Sequence, residues 1–594
     1  MKRVLAWFRR VLSAPFRGIA AIFKQPRYSI PALISAAMIV FSFPPFYVAP
    51  LAYLAYVPLI WVCSQRSTKQ SFFWGWLAGA VIHGWGFYFI FQLVIVFGGL
   101  PAIAAGAILV LFSFFQGLQI AVFSALCSRL IREPRIPAVL AVVVSYVSAE
   151  FVFREVLLFP WYLGNCLFSL LPMIQVADLL GGLAVTAVTA TVSGALFTVV
   201  RWFLARRGEA PLRFPVASLA VAGCLLVGSA VYGVVRIGQV EEVAASSPSI
   251  RIGLVEADIG IFMKANPADV RDNLLIHQIE SARLAEAGAD LIVWPETAVN
   301  LPFHVFSRSQ SPDLEVLEDT LVGEMGHLPR DATYLPPTNV PLVEDGDEDR
   351  RLRTSPRAMV AMQRGFRTPL IFGTITTRAP TAEELESIPP HPRREPQMIY
   401  NTAILIDADG RILGSYDKNV LLAFGEYFPL GGWLYRTFGF NYFAIVPTAG
   451  DVTPGEGSDV FTLPIEREGE PPLEVRIGMM ICYEDIIAEY GKALAERGPN
   501  MFINIINDGW FQESSAAYHH NAFSVLRAVE HRVPLVRSTN TGISSVIAPT
   551  GEIVAMTNIT GRETLLEDVP VMPPPATLYS KVGDVLGWLS LATL

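Results

Sequence analysis

The chain has 594 residues, 52% of them hydrophobic and only 16% charged, with 45 Lys and Arg against 53 Asp and Glu and a net charge of -8. With a mean hydropathy of +0.43, this excludes an ordinary soluble domain and points to a membrane protein. The negative charge and the absence of a basic patch in the polar region exclude nucleic acid as a partner. His519-His520 is the only close histidine pair, and adjacent residues on a helix point to different sides, so no metal site is expected.

Residues 1–28 carry Lys2, Arg3, Arg9, Arg10, Arg17, Lys24 and Arg27, interleaved with Trp7, Phe8, Leu12, Phe16, Ile19 and Phe23. This is the pattern of a basic amphipathic segment lying on the inner leaflet. A cleavable signal peptide is the alternative, but no A-x-A-like site follows. Between 29 and 239, apolar runs predict about seven transmembrane spans, near 29–46, 48–64, 72–97, 100–127, 137–157, 175–200 and 214–236. Each approaches or exceeds the ~18–20 residues that a crossing helix needs. Positive charge alternates along the connections. Arg66 and Lys69 mark the second, Arg129, Arg132 and Arg135 the fourth, and Arg201, Arg206, Arg207 and Arg213 the sixth. The first, third and fifth have none, although Arg154 lies just before the fifth. The positive-inside rule then puts the N-terminus in the cytoplasm and residues 240–575 outside it. In a bacterium with two membranes this means a multi-pass inner-membrane protein with a periplasmic domain.

From 240 to 575, short Val/Ile/Leu runs alternate with amphipathic stretches, which predicts an α/β domain. Strands are expected at Ile250–Val255, Leu291–Pro295, Leu370–Thr374, Thr402–Ile406, Val475–Ile481, Met501–Ile506, Leu535–Ser538 and Ser544–Ile547. Helices are expected at Val270–Ala287 and Ala517–Arg532. An insertion at about 305–355, with Pro336-Pro337 and the acidic run from Glu344 to Asp349, reads as a solvated loop rather than a lid. A second proline- and charge-rich stretch covers about 378–397. Residues 576–594 suggest a closing membrane helix. Only about a dozen residues follow Gly583, too few to span ~30 Å of hydrocarbon, so that helix is partial or truncated.

Three positions in the polar region carry chemistry. Asp290-Leu-Ile-Val-Trp-Pro-Glu296 is an apolar strand ending in a carboxylate. Tyr416-Asp-Lys418-Asn precedes Phe424-Gly-Glu426. Val475-Arg-Ile-Gly-Met-Met-Ile-Cys482 is an apolar strand ending in a thiol, followed by Tyr483-Glu484-Asp485. Of the five cysteines, Cys63, Cys127 and Cys224 lie in apolar runs and Cys166 between two such runs; Cys482 alone belongs to the polar region. A structural thiol, or a disulfide with Cys166, is the alternative reading. Glu, Lys and Cys make a complete acyl-transfer set. The carboxylate takes the thiol proton, the ammonium stabilises the oxyanion and lowers the thiol pKa, and the thiolate attacks a carbonyl.

These motifs, with Ile503-Asn-Ile-Ile-Asn507-Asp508-Gly-Trp510-Phe511 and the run from Arg527 to Gly542, resemble the nitrilase superfamily. Behind several membrane spans, they resemble its apolipoprotein N-acyltransferase family. The resemblance covers roughly residues 29 to 590. It implies an α-helical transmembrane bundle joined to an α-β-β-α sandwich. It also implies catalysis by Glu296, Lys418 and Cys482, with Tyr483 and Glu484 flanking the thiol. Glu426 would orient Lys418, bind the amine substrate or cap a helix. Trp510 and Phe511 would line an acyl groove or simply pack. The implied reaction moves a fatty acyl chain from a membrane phospholipid, through a Cys thioester, to the N-terminal amine of a diacylglyceryl apolipoprotein, without a cofactor and as a monomer. Three departures stand out. Val420–Ala423 replaces His-Leu-Val-Pro, Glu256-Ala-Asp258 replaces Gln-Gly-Asn, and Ala265 replaces a tryptophan. The rivals are a membrane-tethered amidase using the same three residues with water as acceptor, and a non-enzymatic scaffold or transporter.

Overall fold

The computed structural model describes residues 24–594 apart from 155, 206–212, 261–262, 264–269, 308–339, 342–349, 354–365, 387, 389–395, 409–411, 442–450 and 468. The basic segment up to residue 23, Ala265 and most of the expected insertion lie outside the described residues. The chain forms two compact units. The first comprises residues up to Phe91, Pro101–Val234 and Asp584–Leu594, and the second Gln92–Leu100 and Val235–Gly583.

The first unit is helical. Its longer helices are α1 (Pro26–Ser42), α2 (Val57–Gln65), α3 (Thr68–Gly86), α4 (Phe89–Val96), α5 (Ala102–Gln116), α6 (Leu118–Leu130), α7 (Ala138–Phe153), α8 (Gly182–Ala205) and α9 (Val216–Ser246). α4 and α9 each run on into the second unit. Ser67 and Gln70 form a capping box that starts α3. α3 packs closely on α5–α6 because small residues face each other, as in membrane helix pairs: a methyl at Gly79 would stand 2.7 Å from the carbonyl of Gly117. Ala102–Leu130, Gly182–Ala205 and Val216–Ser246 are each long and apolar enough to cross a membrane. The α3–α4 pair, bent by 58°, makes a fourth if it is one span. Ala49–Gln65, Ala138–Phe153 and Leu171–Leu180 are apolar but shorter. The predicted runs therefore differ from the helices in their bounds. Backbone breakers account for this. Gly181, at φ +72°, separates Leu171–Leu180 from α8, which starts at 182 rather than near 175. At the C-terminal end, Val585–Ala592 packs on α7 through Ser590 Oγ to Ser148 Oγ at 2.8 Å, and Asp584 pairs with Arg154 at 2.6 Å.

The second unit holds two sheets. The first contains β1 (Ser249–Glu256), β2 (Leu291–Val293), β3 (Val299–Ser307), β4 (Val340–Pro341), β5 (Arg350–Arg353), β6 (Leu370–Arg378), β7 (Met398–Ile406), β8 (Ile412–Asp417) and β15 (Glu563–Pro570). Its order is β15-β1-β2-β6-β3-β5-β4, with β7 joining β6 to β8. The second sheet runs β14-β13-β12-β11-β10-β9, from β9 (Val460–Arg467), β10 (Glu470–Ile481), β11 (Met501–Ile506), β12 (Leu535–Thr539), β13 (Ser545–Ile547) and β14 (Ile553–Met556). β10, β11 and β12 are parallel and every residue of β11 is buried, as expected of strands covered on both faces. The sheets meet face to face, with Ser538 Oγ donating to Val293 O at 3.0 Å. Helix α10 (Val270–Glu286) packs on β1 and β2, and α11 (Gly431–Phe438) follows β8. α12 (Ala488–Ala495) and α13 (Ser515–His531) pack on β10 and β12. This is the α-β-β-α sandwich; Trp294, Phe372 and Ile404 belong to a buried cluster that the first sheet shares with α10. Sequence periodicity did not predict β3 to β5, β8, β9, β14 or β15. β4 and β5 fall inside the stretch expected to be a loop.

Candidate active site

The parallel strands of both sheets end at one edge, where side chains beyond the carboxyl ends of strands converge. β10 ends at Ile481, and Cys482 opens a 3₁₀ turn (Cys482–Ile486) at φ +53°. That left-handed conformation is unusual for a residue with a Cβ and marks a site of stored strain. Asn504 on β11 holds the turn, its Nδ2 donating to Cys482 O at 2.9 Å. The thiol-bearing residue is half-buried.

Glu296 follows β2 and precedes Thr297, itself at φ +48°. The neighbouring β6 carries Gly373 at the point of closest approach. A methyl there would lie 2.5 Å from Thr297 N and 2.7 Å from Glu296 Cα, so only glycine admits this path. Glu296 Oε1 accepts from Asn401 Nδ2 at 2.5 Å and lies 3.8 Å from Lys418 Nζ. Lys418 follows β8 and is 1% exposed. Its Nζ donates to Glu426 Oε1 at 2.8 Å. Glu426 also accepts from Asn401 Nδ2 at 3.3 Å and, through Oε2, from Leu422 N at 2.8 Å. Both Glu426 oxygens are thus engaged by the protein. That arrangement places Glu426 in direct contact with the Lys418 ammonium.

Burial alone pulls the Lys418 pKa down, but Glu426, Cys482 and Glu296 outweigh it and hold the ammonium well above its ordinary range. Burial pushes the Cys482 thiol up, Glu296 pushes it further, and Lys418 opposes both without prevailing. The sequence reading had the lysine lowering the thiol pKa. Its pull has that sign, but desolvation and the adjacent carboxylate are larger.

The flanking residues separate into roles. Tyr483 is buried. Glu484 turns into the protein. Its Oε1 accepts from Tyr416 Oη at 2.7 Å, Asn419 N at 2.7 Å and Val420 N at 2.9 Å, and its Oε2 accepts from Ile481 N at 2.8 Å. It therefore ties the Lys418 loop to the Cys482 strand, and burial pushes its carboxyl up to about 7. Val420 and Leu421, in the segment that departs from the family, line a cavity of ≈ 520 Å³ together with Met398, Tyr427, Phe428 and Val452. Trp510 is half-exposed and meets Phe97, also of this unit, edge-on at 5.1 Å between centroids. The departure at Glu256 is accommodated by Ser544 Oγ at 2.7 Å and Thr557 Oγ1 at 2.6 Å, while burial pushes its carboxyl up to about 8.

Sequence reasoning missed Asn401 and a buried ion cluster. His520 Nε2 lies 2.9 Å from Asp485 Oδ1 and its Nδ1 lies 2.9 Å from Asp508 Oδ1. Arg537 Nε approaches Asp485 Oδ2 at 3.4 Å. Burial lowers the His520 pKa, but Asp508 and Asp485 outweigh it and push the imidazole up to about 9. The only sequence signal was a set of polar residues inside or next to apolar runs.

The profile of the carbon-nitrogen hydrolase family matches residues 251–571, and that of the apolipoprotein N-acyltransferase N-terminal domain matches residues 35–195. The chain is similar to the apolipoprotein N-acyltransferase of Geobacter metallireducens, with 28% identity over 565 residues, 94% of this chain and 92% of that protein. It is also similar to that of Bradyrhizobium diazoefficiens, with 26% identity over 577 residues, 93% of this chain and 91% of that protein. Among solved structures, an amidase from Nesterenkonia sp. matches at 19% identity, covering 59% of this chain and 97% of that one, with a TM-score of 0.32. The chain belongs to the carbon-nitrogen hydrolase family, with the N-terminal domain of apolipoprotein N-acyltransferases ahead of its hydrolase-type domain.

Proposed function

We propose that the protein is an apolipoprotein N-acyltransferase in which Glu296, Lys418 and Cys482 do the chemistry. The carrying observation is the buried Lys418 ammonium, 2.8 Å from Glu426 and 3.8 Å from Glu296, coupled electrostatically to the Cys482 thiol. Glu296 takes the thiol proton, and the sulfur attacks the ester carbonyl of a phospholipid. Lys418 stabilises the oxyanion. The C–O bond breaks, the leaving alkoxide takes the proton from Glu296, and a lysophospholipid departs from acyl-Cys482. The amine of a diacylglyceryl-cysteine then attacks the thioester. Glu296 receives its proton and passes it to the sulfur as the C–S bond breaks.

The phospholipid ester supplies the activated acyl group, so the cycle runs without a cofactor. The substrate pair comes from the relatives' name over nine tenths of the chain. The same relatives disfavour the membrane-tethered amidase. The alternation of positive charge supports an inner-membrane protein with residues 29–239 in the membrane and residues 240–575 in the periplasm. One chain supplies all the named residues, so a monomer suffices. Expression in a strain depleted of its own apolipoprotein N-acyltransferase tests the proposal. Restored growth and a third acyl chain on its lipoproteins are expected; lipoproteins that stay diacylated would reject it.

A further inference from the structure

The acceptor reaches the site as an ammonium. Its charge needs a group that receives it next to the thioester. Three carboxylates act electrostatically on Cys482: Glu296, Asp508 and Glu426. Both oxygens of Glu426 are held by Lys418, Asn401 and Leu422 N, and Glu296 is occupied by proton transfer. Asp508 is different.

It follows β11, whose Ile505 pairs with Ile481, so its turn opens at the same edge as the Cys482 turn. Asp508 is 2% exposed. Its Oδ1 is bound by His520, whereas its Oδ2 has no hydrogen-bond donor among the described residues. A buried carboxylate oxygen left this way is costly unless a ligand completes it. His520 fixes the orientation, because its other nitrogen is tied to Asp485 and Asp485 has Arg537 as a second partner. Asp508 therefore shares a single cation, and its second oxygen is left unpaired among the described residues. Gly542, at φ +141°, stands beside it: a methyl there would lie 3.1 Å from Oδ2.

We propose that Asp508 Oδ2, beside the Cys482 thioester, is the docking point for the α-ammonium of the acceptor's N-terminal cysteine. This rests on the acyltransferase reading and names its acceptor subsite. Docking places the nitrogen next to the thioester carbon. The ammonium gives one proton to water, and Asp508 stays hydrogen-bonded to the neutral amine as it attacks. The second proton passes through Glu296 to the departing sulfur, leaving an amide and a free thiol.

The test uses the full-length enzyme in phospholipid–detergent micelles, with acyl-Cys482 formed first. A diacylglyceryl-cysteine peptide is compared with its deamino analogue as a competitor, in wild type and in Asp508→Asn. Asn keeps the shape and an acceptor for His520. In wild type the amine peptide should bind about 10- to 100-fold tighter than the deamino analogue, roughly the worth of a hydrogen bond to a charged group. In D508N this preference should vanish, and the acceptor KM should rise by a similar factor. Discharge by hydroxylamine, a neutral nucleophile, should fall no more than thioester formation does. Equal binding of the two peptides by wild type, an unchanged acceptor KM in D508N, or equal losses with hydroxylamine and with the peptide would each overturn the assignment. If D508N does not fold, the wild-type contrast still decides. If wild type forms no acyl-Cys482 or never passes the acyl group to the peptide, the acyltransferase reading itself fails.

Discussion

Replacing Lys418 with methionine should damage stability and chemistry in separable ways. At an effective dielectric of ~20, the ammonium's gross attraction is about 6 kcal/mol to Glu426 and about 4 kcal/mol to Glu296, taking the separations of 2.8 Å and 3.8 Å. Desolvation of the buried charges, several kcal/mol per ion, offsets much of this. Without the cation, Glu296 and the half-buried Glu426 lose their shared counter-charge and keep only neutral donors such as Asn401 Nδ2 and Leu422 N. Breaking a buried pair in this way costs roughly 3–5 kcal/mol. The double variant K418M/E426Q removes both charges, so it should recover about 1–3 kcal/mol of that loss. Thermal unfolding in detergent reads the difference. At roughly 1–2 °C per kcal/mol for a unit this large, K418M should melt about 3–10 °C below wild type and the double variant above K418M. Thioester formation should stay depressed by roughly 10²–10³-fold in both variants, because the oxyanion donor is gone in each. Additive losses in the double variant, or wild-type stability in K418M, would show that these charges are not coupled.

Gly373→Ala should slow thioester formation by roughly 10²-fold with the fold retained, since a methyl 2.7 Å from Glu296 Cα must displace the base; near-wild-type rates with a folded protein would contradict this path. Glu296→Gln should lower the Cys482 pKa, because the carboxylate that raises it is removed while Lys418 remains. Acyl transfer should nevertheless slow by roughly 10²–10⁴-fold. The pH profile of Cys482 alkylation, followed by mass spectrometry, checks this, and a pKa that rises in E296Q would refute the electrostatic account. Glu256 is pushed up to about 8 from 4.5. Its stability contribution is therefore full below the unfolded pKa and is lost as pH rises toward 8. Glu256→Gln is neutral throughout, so its melting temperature relative to wild type should climb between pH 5 and 9; a flat or falling difference would contradict the burial argument.

Much of the layout was legible because chemistry-bearing residues end apolar runs. Glu296 and Cys482 each close a buried strand, and the observed β11 has the bounds that the sequence predicts. Edge strands such as β9 and β14 were not legible, since β9 buries only alternate residues and β14 fully buries none. Asn401 was hidden within β7, and His520 joins two turns 35 and 12 residues away, a pairing that only tertiary packing creates. The thiol's net pKa shift was likewise out of reach. It is set by burial and by the balance between Glu296 and Lys418, neither of which a motif states. The helix breaks in the first unit depend on single prolines and glycines within runs that remain apolar on either side.

The most direct measurement is mass spectrometry of the purified protein after incubation with phospholipid. An acyl adduct should appear on Cys482, disappear when a diacylglyceryl-cysteine peptide is added, and be absent in Cys482→Ala. An adduct that persists in Cys482→Ala, or that maps to another residue, would contradict the central claim.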